Sequence, residues 1–209
     1  MESTNPTNPK LVGLLTDFQT QDWYVGVMKA VLIGIEPELR CIDISHQIPP
    51  QDVRAASFVL QQSYREFPPG SIFLVVVDPG VGTERKPVVL RAGDYFFVGP
   101  NNGVFGFLEN FHPDEFACHE LEPFWQDQPL RSNTFHGRDL FAPASAYLAR
   151  GTPLNKFGPK LPLPEKWEVG DGDTGKIVYI DHFGNAITNI PGDSLTDEVE
   201  KFRAGNQEI

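Results

Sequence analysis

Ile72-Phe73-Leu74-Val75-Val76-Val77-Asp78-Pro79-Gly80-Val81-Gly82 opens with an unbroken apolar run and closes on a carboxylate followed by turn-forming residues. Continuous runs of Val, Ile and Leu suit strands covered on both faces, which is the condition of a parallel sheet. Upstream, Leu11 to Leu15 forms a second apolar run that ends at Thr16-Asp17. Between Asp22 and Ile35, the residues Val25, Met28, Leu32 and Ile35 recur at helical spacing. Leu39 to Ile44 reads as a strand. Gln51 to Phe67 reads as a helix with Val53, Ala56, Leu60 and Tyr64 on one face, stopped by Pro68-Pro69-Gly70. Strand and helix therefore alternate, which predicts an α/β fold with a mostly parallel sheet, right-handed crossovers and helices on both faces. Ligands of such sheets gather at the carboxyl ends of the strands. Asp17 and Asp78 both fall there.

Downstream, Pro87 to Arg91 and Asp94 to Val98 read as two strands joined at Ala92-Gly93, closed by Gly99-Pro100-Asn101-Asn102-Gly103. A helical pattern returns from Arg138 to Leu148. Residues 151–175 carry Pro153, Pro159, Pro162 and Pro164 without a clear period, which marks a linker or wrapping segment. Lys176 to Asp181 and Ala186 to Ile190 then read as two strands around His182-Phe183-Gly184-Asn185. The expected organisation is a disordered leader over 1–10, an α/β domain over 11–150, the linker over 151–175, and the start of a second domain over 176–209. About 35 residues are too few for an independent core. The last segment is expected to pack on the main domain, to need a partner subunit, or to be an incomplete domain.

The chain of 209 residues is 40% hydrophobic, enough for a real core, and carries a formal net charge of −11. Scattered acidic residues argue against a basic face that tracks phosphates, and so against nucleic acid. A small cationic or zwitterionic substrate fits better. Cys41 and Cys118 are the two cysteines, and there is no signal-peptide pattern or long apolar span. The expectation is a soluble cytoplasmic protein with no membrane partner.

Two loops carry candidate chemistry. Thr134-Phe135-His136-Gly137-Arg138-Asp139 places an imidazole, a guanidinium and a carboxylate beside a glycine, just ahead of a helical segment. Asp78 to Arg85 puts a second charged set on a glycine-rich loop. The Gly80 and Gly82 spacing is not that of a phosphate cradle, because no Lys-Ser or Lys-Thr follows. His46, His112, His119 and His182 show no metal-ligand spacing, so no metal is expected.

Leu15-Thr16-Asp17-Phe18, Tyr24-Val25-Gly26-Val27-Met28-Lys29, Asp78-Pro79-Gly80-Val81-Gly82-Thr83, Gly99-Pro100-Asn101-Asn102-Gly103, Thr134 to Asp139 and Asp181-His182-Phe183-Gly184-Asn185, taken together and in this order, resemble the S-adenosylmethionine hydrolase family. That family, also called S-adenosylmethionine hydroxide adenosyltransferase, is related to fluorinases and chlorinases. The resemblance runs from about Leu11 to the end of the chain. It implies an amino-terminal α/β domain, a carboxyl-terminal β-barrel, and a homotrimer with active sites between subunits. It also implies the reaction: water attacks C5′ of S-adenosylmethionine, the substrate, to give adenosine and methionine, with no cofactor.

By the same resemblance, Asp17 holds the ribose hydroxyls, and Asp78, Arg85 and His136 position and polarise the attacking water. Thr134 and Phe135 line the sugar and adenine. Asp181 and Asn185 reach the methionine and adenine ends from the second domain. Halogenases of the superfamily lack the Asp-Arg-His set, so His136-Gly137 argues for water over halide. Family members continue for several further strands beyond the point matching Gln207-Glu208-Ile209, with a late motif that grips the methionine carboxylate. The β-barrel is therefore expected to be truncated here, which leaves an adenosine-binding or assembly subunit without turnover as the alternative to a hydrolase. A metal-assisted hydrolase using Asp17, Asp78 and His136 as ligands is a third reading.

Each residue also has a plainer role. Asp17 could cap the next helix. Arg85, taken alone, reads as a solvated surface arginine, and His136 as a structural histidine. Arg138 and Asp139 read as an ion pair or cap. Phe18, Trp23 and Tyr24 could stack on adenine, but aromatics beside an apolar helix more often belong to the core.

Overall fold

The run from Ile72 folds as expected, as a strand buried at every position. In the computed structural model, residues 10–125, 132–162, 174–190, 192, 203–204 and 207–208 are described. The chain divides into two compact units, Met1–Lys166 and Trp167–Ile209. In the first, β1 (Leu11–Thr16), α1 (Tyr24–Ile35), β2 (Arg40–Ser45), α2 (Val53–Ser63) and β3 (Ile72–Val76) follow in strict alternation. They lead into β4 (Pro87–Ala92), β5 (Tyr95–Pro100), α3 (Leu108–Phe111), β6 (Phe116–Glu120) and α4 (Ala142–Ala149).

The sheet order is β2-β1-β3-β5-β4-β6. Strands β2, β1, β3 and β5 run parallel, and β4 and β6 are antiparallel additions. The chain leaves β1 toward β2 on one side and returns to β3 on the other. The crevice at this reversal lies beyond the carboxyl ends of β1 and β3, where open α/β sheets bind ligands. The pairing of Thr16 with Val76 brings Asp17 and Asp78 to the same end.

Alternation along the strands separates two cores. Val12 and Leu14 of β1 and Ile72, Leu74 and Val76 of β3 pack with Met28 and Leu32 of α1 and with α4. On the opposite face, Phe73 and Phe97 join an aromatic cluster around Tyr64, which follows α2. Helices thus cover both faces. The start of α2 is fixed by Asp52, whose Oδ1 accepts the Ala55 N–H at 2.9 Å, an N-cap that satisfies one otherwise orphaned donor. Strand β2 is an edge, and none of its residues is fully buried.

The differences from the sequence expectation lie mainly after β5. Strand β6 and the short α3 were not anticipated. Residues following α4 wrap along β6: the Glu120 N–H donates to the Pro159 carbonyl at 2.9 Å and the Leu161 N–H to the Cys118 carbonyl at 3.0 Å. Phe157 in this segment is fully buried. The last helix is preceded by a wider turn over Gly137–Phe141, a π-type loosening in which the Ala142 N–H reaches back to the Gly137 carbonyl. Such bulges often sit at functional sites because they re-aim a side chain.

Among its described residues the second unit has two antiparallel pairs, β7 (Ile177–Ile180) with β8 (Ala186–Thr188), and β9 (Arg203–Ala204) with β10 (Gln207–Glu208). No helix among the described residues is long and apolar enough to cross a membrane.

Candidate active site

A cleft of about 500 Å3 opens at the carboxyl ends of β1 and β3. Asp17 and Asp78 line it from those ends, and Thr134, Phe135 and His136 line it from the loop before α4. Phe18, Trp23 and Tyr24 form an aromatic wall with Phe135. Trp23 stacks on Phe135 with ring centroids 5.8 Å apart, and Tyr24 lies 6.1 Å from the same ring. The core expectation for Trp23 is wrong, since it is 53% exposed. It directly precedes α1 and lines the cleft.

At the cleft wall, Asp78 and His136 meet Arg85, which lies behind them. The Arg85 side chain is 7% exposed and that of Asp78 is 5% exposed, so the surface reading of Arg85 fails. The guanidinium grips the carboxylate at two points, through Nε to Oδ1 at 3.1 Å and through Nη2 to Oδ2. This fork-to-fork pairing is the strong form of a charge-assisted contact. Nη2 also lies 3.1 Å from His136 Nδ1. Nη1 is buried and has no hydrogen-bond partner among the described residues. Position 80 lies close against this arginine: a Cβ there would come within 3.3 Å of Arg85 Cβ, so any side chain would ask its neighbour to shift by a few tenths of an ångström. Gly82, at φ +78°, takes the left-handed turn that returns the chain.

Arg85 can only donate, so the nitrogen of His136 that faces it is the lone-pair nitrogen, and in the neutral ring Nε2 carries the proton. Burial first, and the Arg85 charge second, hold the His136 pKa below its usual value, against the opposing pull of Asp78 and Asp139. The imidazole is therefore neutral at physiological pH, with an N–H to offer and its other nitrogen committed.

Asp17 does not cap α1, whose N-terminal flanking residue is Trp23. Its Oδ2 instead accepts the Gln51 N–H at 2.8 Å. Gln51 sits at φ 66°, unusual for a residue with a side chain. The sequence reading missed Gln51, although the Pro49-Pro50 pair just before it marked a constrained turn. Arg138 and Asp139 form the expected ion pair. Arg138 also lies 5.0 Å over the Phe135 ring and lines the cleft, which the sequence reading had not assigned to it.

Asp181 and Asn185 belong to the second unit and organise the turn between β7 and β8. Asp181 Oδ1 accepts the Phe183 and Asn185 N–H groups at 2.9 and 2.8 Å, and Oδ2 accepts Asn185 Nδ2 at 2.7 Å. The Asn185 bond leads the causes that hold this carboxyl below its ordinary range.

Neither cysteine suits nucleophilic catalysis. Burial pushes the Cys118 thiol up to about 12 and raises Cys41 as well. No group of three His, Cys, Asp or Glu side chains able to hold a metal occurs among the described residues.

An Asp-Arg-His set thus stands beside an aromatic-walled cleft at a sheet reversal. Residues 12–158 match the SAM hydroxide adenosyltransferase N-terminal domain, and residues 175–209 match the C-terminal domain of the same family. The chain belongs to the SAM hydroxide adenosyltransferase family. It is 39% identical over 191 residues to the (R)-S-adenosyl-L-methionine hydrolase of Thermus thermophilus, covering 86% of this chain and 74% of that one. A crystal structure of an uncharacterized conserved protein from Thermotoga maritima superposes with a TM-score of 0.84 at 40% identity, over 95% of this chain and 80% of that one. A fluorinase of Nocardia brasiliensis is 30% identical over 230 residues, covering 91% of this chain and 74% of that one. The chain is thus similar both to proteins named as hydrolases and to one named as a fluorinase.

Proposed function

We propose that this protein hydrolyses S-adenosyl-L-methionine, water displacing methionine from C5′ to leave adenosine. One observation carries the reading: the Asp78-Arg85-His136 set, with the carboxylate and guanidinium side chains buried, assembled from two loops at the edge of a cleft large enough for a nucleoside. Relatives at 34% to 39% identity named as (R)-S-adenosyl-L-methionine hydrolases support it.

The chemistry suits such a set. Methionine leaves a sulfonium as a neutral thioether, so no acid is needed at sulfur. The C5′–S electron pair goes to sulfur, the water oxygen bonds to C5′, and one proton is released to solvent. What the protein must supply is an oriented, polarised water. Of the fixed donors Arg85 Nη1 and His136 Nε2–H, one orients the water through a single lone pair and leaves the other lone pair for C5′, the water's proton passing to solvent as the bond forms, and Asp78 locks the guanidinium in place. His136 acts as an orienting donor, since the nitrogen a base would need faces Arg85. Positioning water at a near-attack distance of about 3 to 3.5 Å contributes several kcal/mol.

Asp17 accepts the paired ribose hydroxyls, while Phe135 and Thr134 line the adenosine. Asp181 and Asn185 are the second unit's contribution to the substrate, at the methionine and adenine ends. The quaternary form that goes with this reading is a homotrimer, and the second unit belongs to a β-barrel. Family resemblance supports these finer assignments.

The test is incubation with S-adenosylmethionine in water enriched in oxygen-18. Adenosine carrying the label in its 5′-hydroxyl is expected. Adenosine binding without turnover would replace the hydrolase with an adenosine-binding subunit, and neither binding nor turnover would reject both.

A further inference from the structure

Thr16, the last residue of β1, and His46, the first after β2, are polar yet buried, at 0% and 4% exposure. Their side chains meet, with Thr16 Oγ1 2.8 Å from His46 Nδ1. The loop that carries Asp17 is tied to this pair at two points. The Phe18 N–H donates to Thr16 Oγ1 at 3.3 Å, and the Gln19 N–H donates to the His46 carbonyl at 2.8 Å. Gln19 has φ 60°, a conformation that a non-glycine residue keeps only where its surroundings enforce it. On the far side of the ring, Nε2 lies 3.1 Å from Asp43 Oδ1, close but out of line for a full hydrogen bond. Asp43 Oδ2 in turn accepts Lys29 Nζ at 2.7 Å.

The contacts run in one direction. A carboxylate at Asp43 favours the tautomer with the proton on Nε2, which leaves Nδ1 to accept the Thr16 hydroxyl proton. The Thr16 oxygen is then free to accept from Phe18. His46 thereby holds both ends of Asp17-Phe18-Gln19, through its ring by way of Thr16 and through its main-chain carbonyl at Gln19. The segment that begins with His46 also supplies Gln51, whose N–H orients Asp17 Oδ2. His46 itself does not line the cleft.

From this linkage we propose that His46 is a positioning residue: acting through Thr16 and the Gln19 backbone, it holds the Asp17 carboxylate at the distance and angle that a vicinal diol requires. The proposal rests on the assignment of Asp17 to the ribose hydroxyls. A histidine that merely filled space would be replaceable by an apolar ring of similar size without consequence for ligand affinity. A misplaced carboxylate, in contrast, costs about 10- to 100-fold in affinity for each hydrogen bond to the diol that it loses.

The experiment compares His46→Phe, His46→Asn and Thr16→Val with the unmodified chain, reading KM and kcat for S-adenosylmethionine, adenosine affinity by calorimetry, and the melting temperature. His46→Phe and Thr16→Val are each expected to weaken adenosine binding and raise KM by about 10- to 100-fold with kcat unchanged, because the water-handling set is untouched. Combining them should cost no more than either alone. His46→Asn, which keeps an acceptor near the Nδ1 position, should recover most of the affinity. Against an Asp17→Ala background, His46→Phe should add nothing, an outcome that a purely structural role would not produce. Folded variants with unaltered KM and adenosine affinity, or with the loss confined to kcat, overturn the inference while leaving the hydrolase reading intact. An unmodified chain that neither turns over nor binds adenosine overturns both. Should His46→Phe fail to fold, Thr16→Val alone decides, since it removes one hydroxyl at constant shape.

Discussion

Arg85 Nη2 and His136 Nδ1 stand 3.1 Å apart, and the pair determines which protonation state the imidazole keeps. With burial first and Arg85 second, the His136 pKa is held below its ordinary value of about 6.5. As pH falls below about 6.5, the unfolded chain takes up a proton that the native site resists. Stability therefore declines with falling pH until the folded-state pKa is passed, and this contribution is flat below it. Nuclear magnetic resonance titration of the His136 ring should give a midpoint below that of a free histidine, and Arg85→Met should move it upward. A midpoint at or above the ordinary value would contradict the proximity of the two groups.

Asp78 and Arg85 form a buried ion pair, so removing one partner strands the other. Asp78→Ala is expected to cost about 3 to 5 kcal/mol of stability, read as a lower denaturant midpoint. The double change Asp78→Ala with Arg85→Met should recover much of that stability while remaining inactive. Equal destabilisation by the single and double changes would show that the pair is not buried in solution.

Arg85→Lys tests geometry apart from charge. An ammonium keeps the positive charge but loses the fork that contacts Asp78 at two points while presenting Nη1. Turnover should fall by about 100- to 1,000-fold, the usual loss for one preorganised donor, with adenosine affinity little changed. Retained turnover would remove Arg85 from the water-handling set.

The parallel sheet was legible because Ile72 to Val77 and Leu11 to Leu15 are continuous apolar runs, a signal that does not depend on distant residues. Strand β6 was not legible. Its Phe116-Ala117-Cys118-His119-Glu120 sequence buries a histidine, satisfied by the Gly158 carbonyl at 2.9 Å, so the polar residue that reads as solvent-facing is inside. The site residues carried their own chemistry in the sequence, but Arg85 reads as surface until the Gly80 turn folds it onto Asp78. The Thr16 to His46 contact spans 30 positions and exists only because parallel pairing sets Leu15 beside Ser45. No local pattern encodes it.

Asp17→Ala should act on binding first. With one carboxylate oxygen engaged by the Gln51 N–H, the remaining acceptor capacity serves the ribose diol. Adenosine affinity is expected to fall by about 10-fold or more, while 2′,3′-dideoxyadenosine, which lacks the hydroxyls, should bind both forms equally. Loss of affinity for the dideoxy compound as well would assign Asp17 to holding the loop.

A metal-assisted route would need Asp17, Asp78 and His136 as ligands, and the geometry has already committed two of the three. Both oxygens of Asp78 face Arg85, and His136 Nδ1 faces the same guanidinium. Asp17 Oδ2 is held by the Gln51 N–H. For a cation to bind, Arg85 would have to leave a site where its own charge opposes the metal, abandoning a buried carboxylate contact. The adenosine-forming rate should therefore be the same before and after dialysis against EDTA, and zinc or magnesium added back should not raise it. A rate abolished by chelation and restored by one metal would require the Asp78–Arg85 pair to open during turnover, and the water-handling role of Arg85 would fall with it.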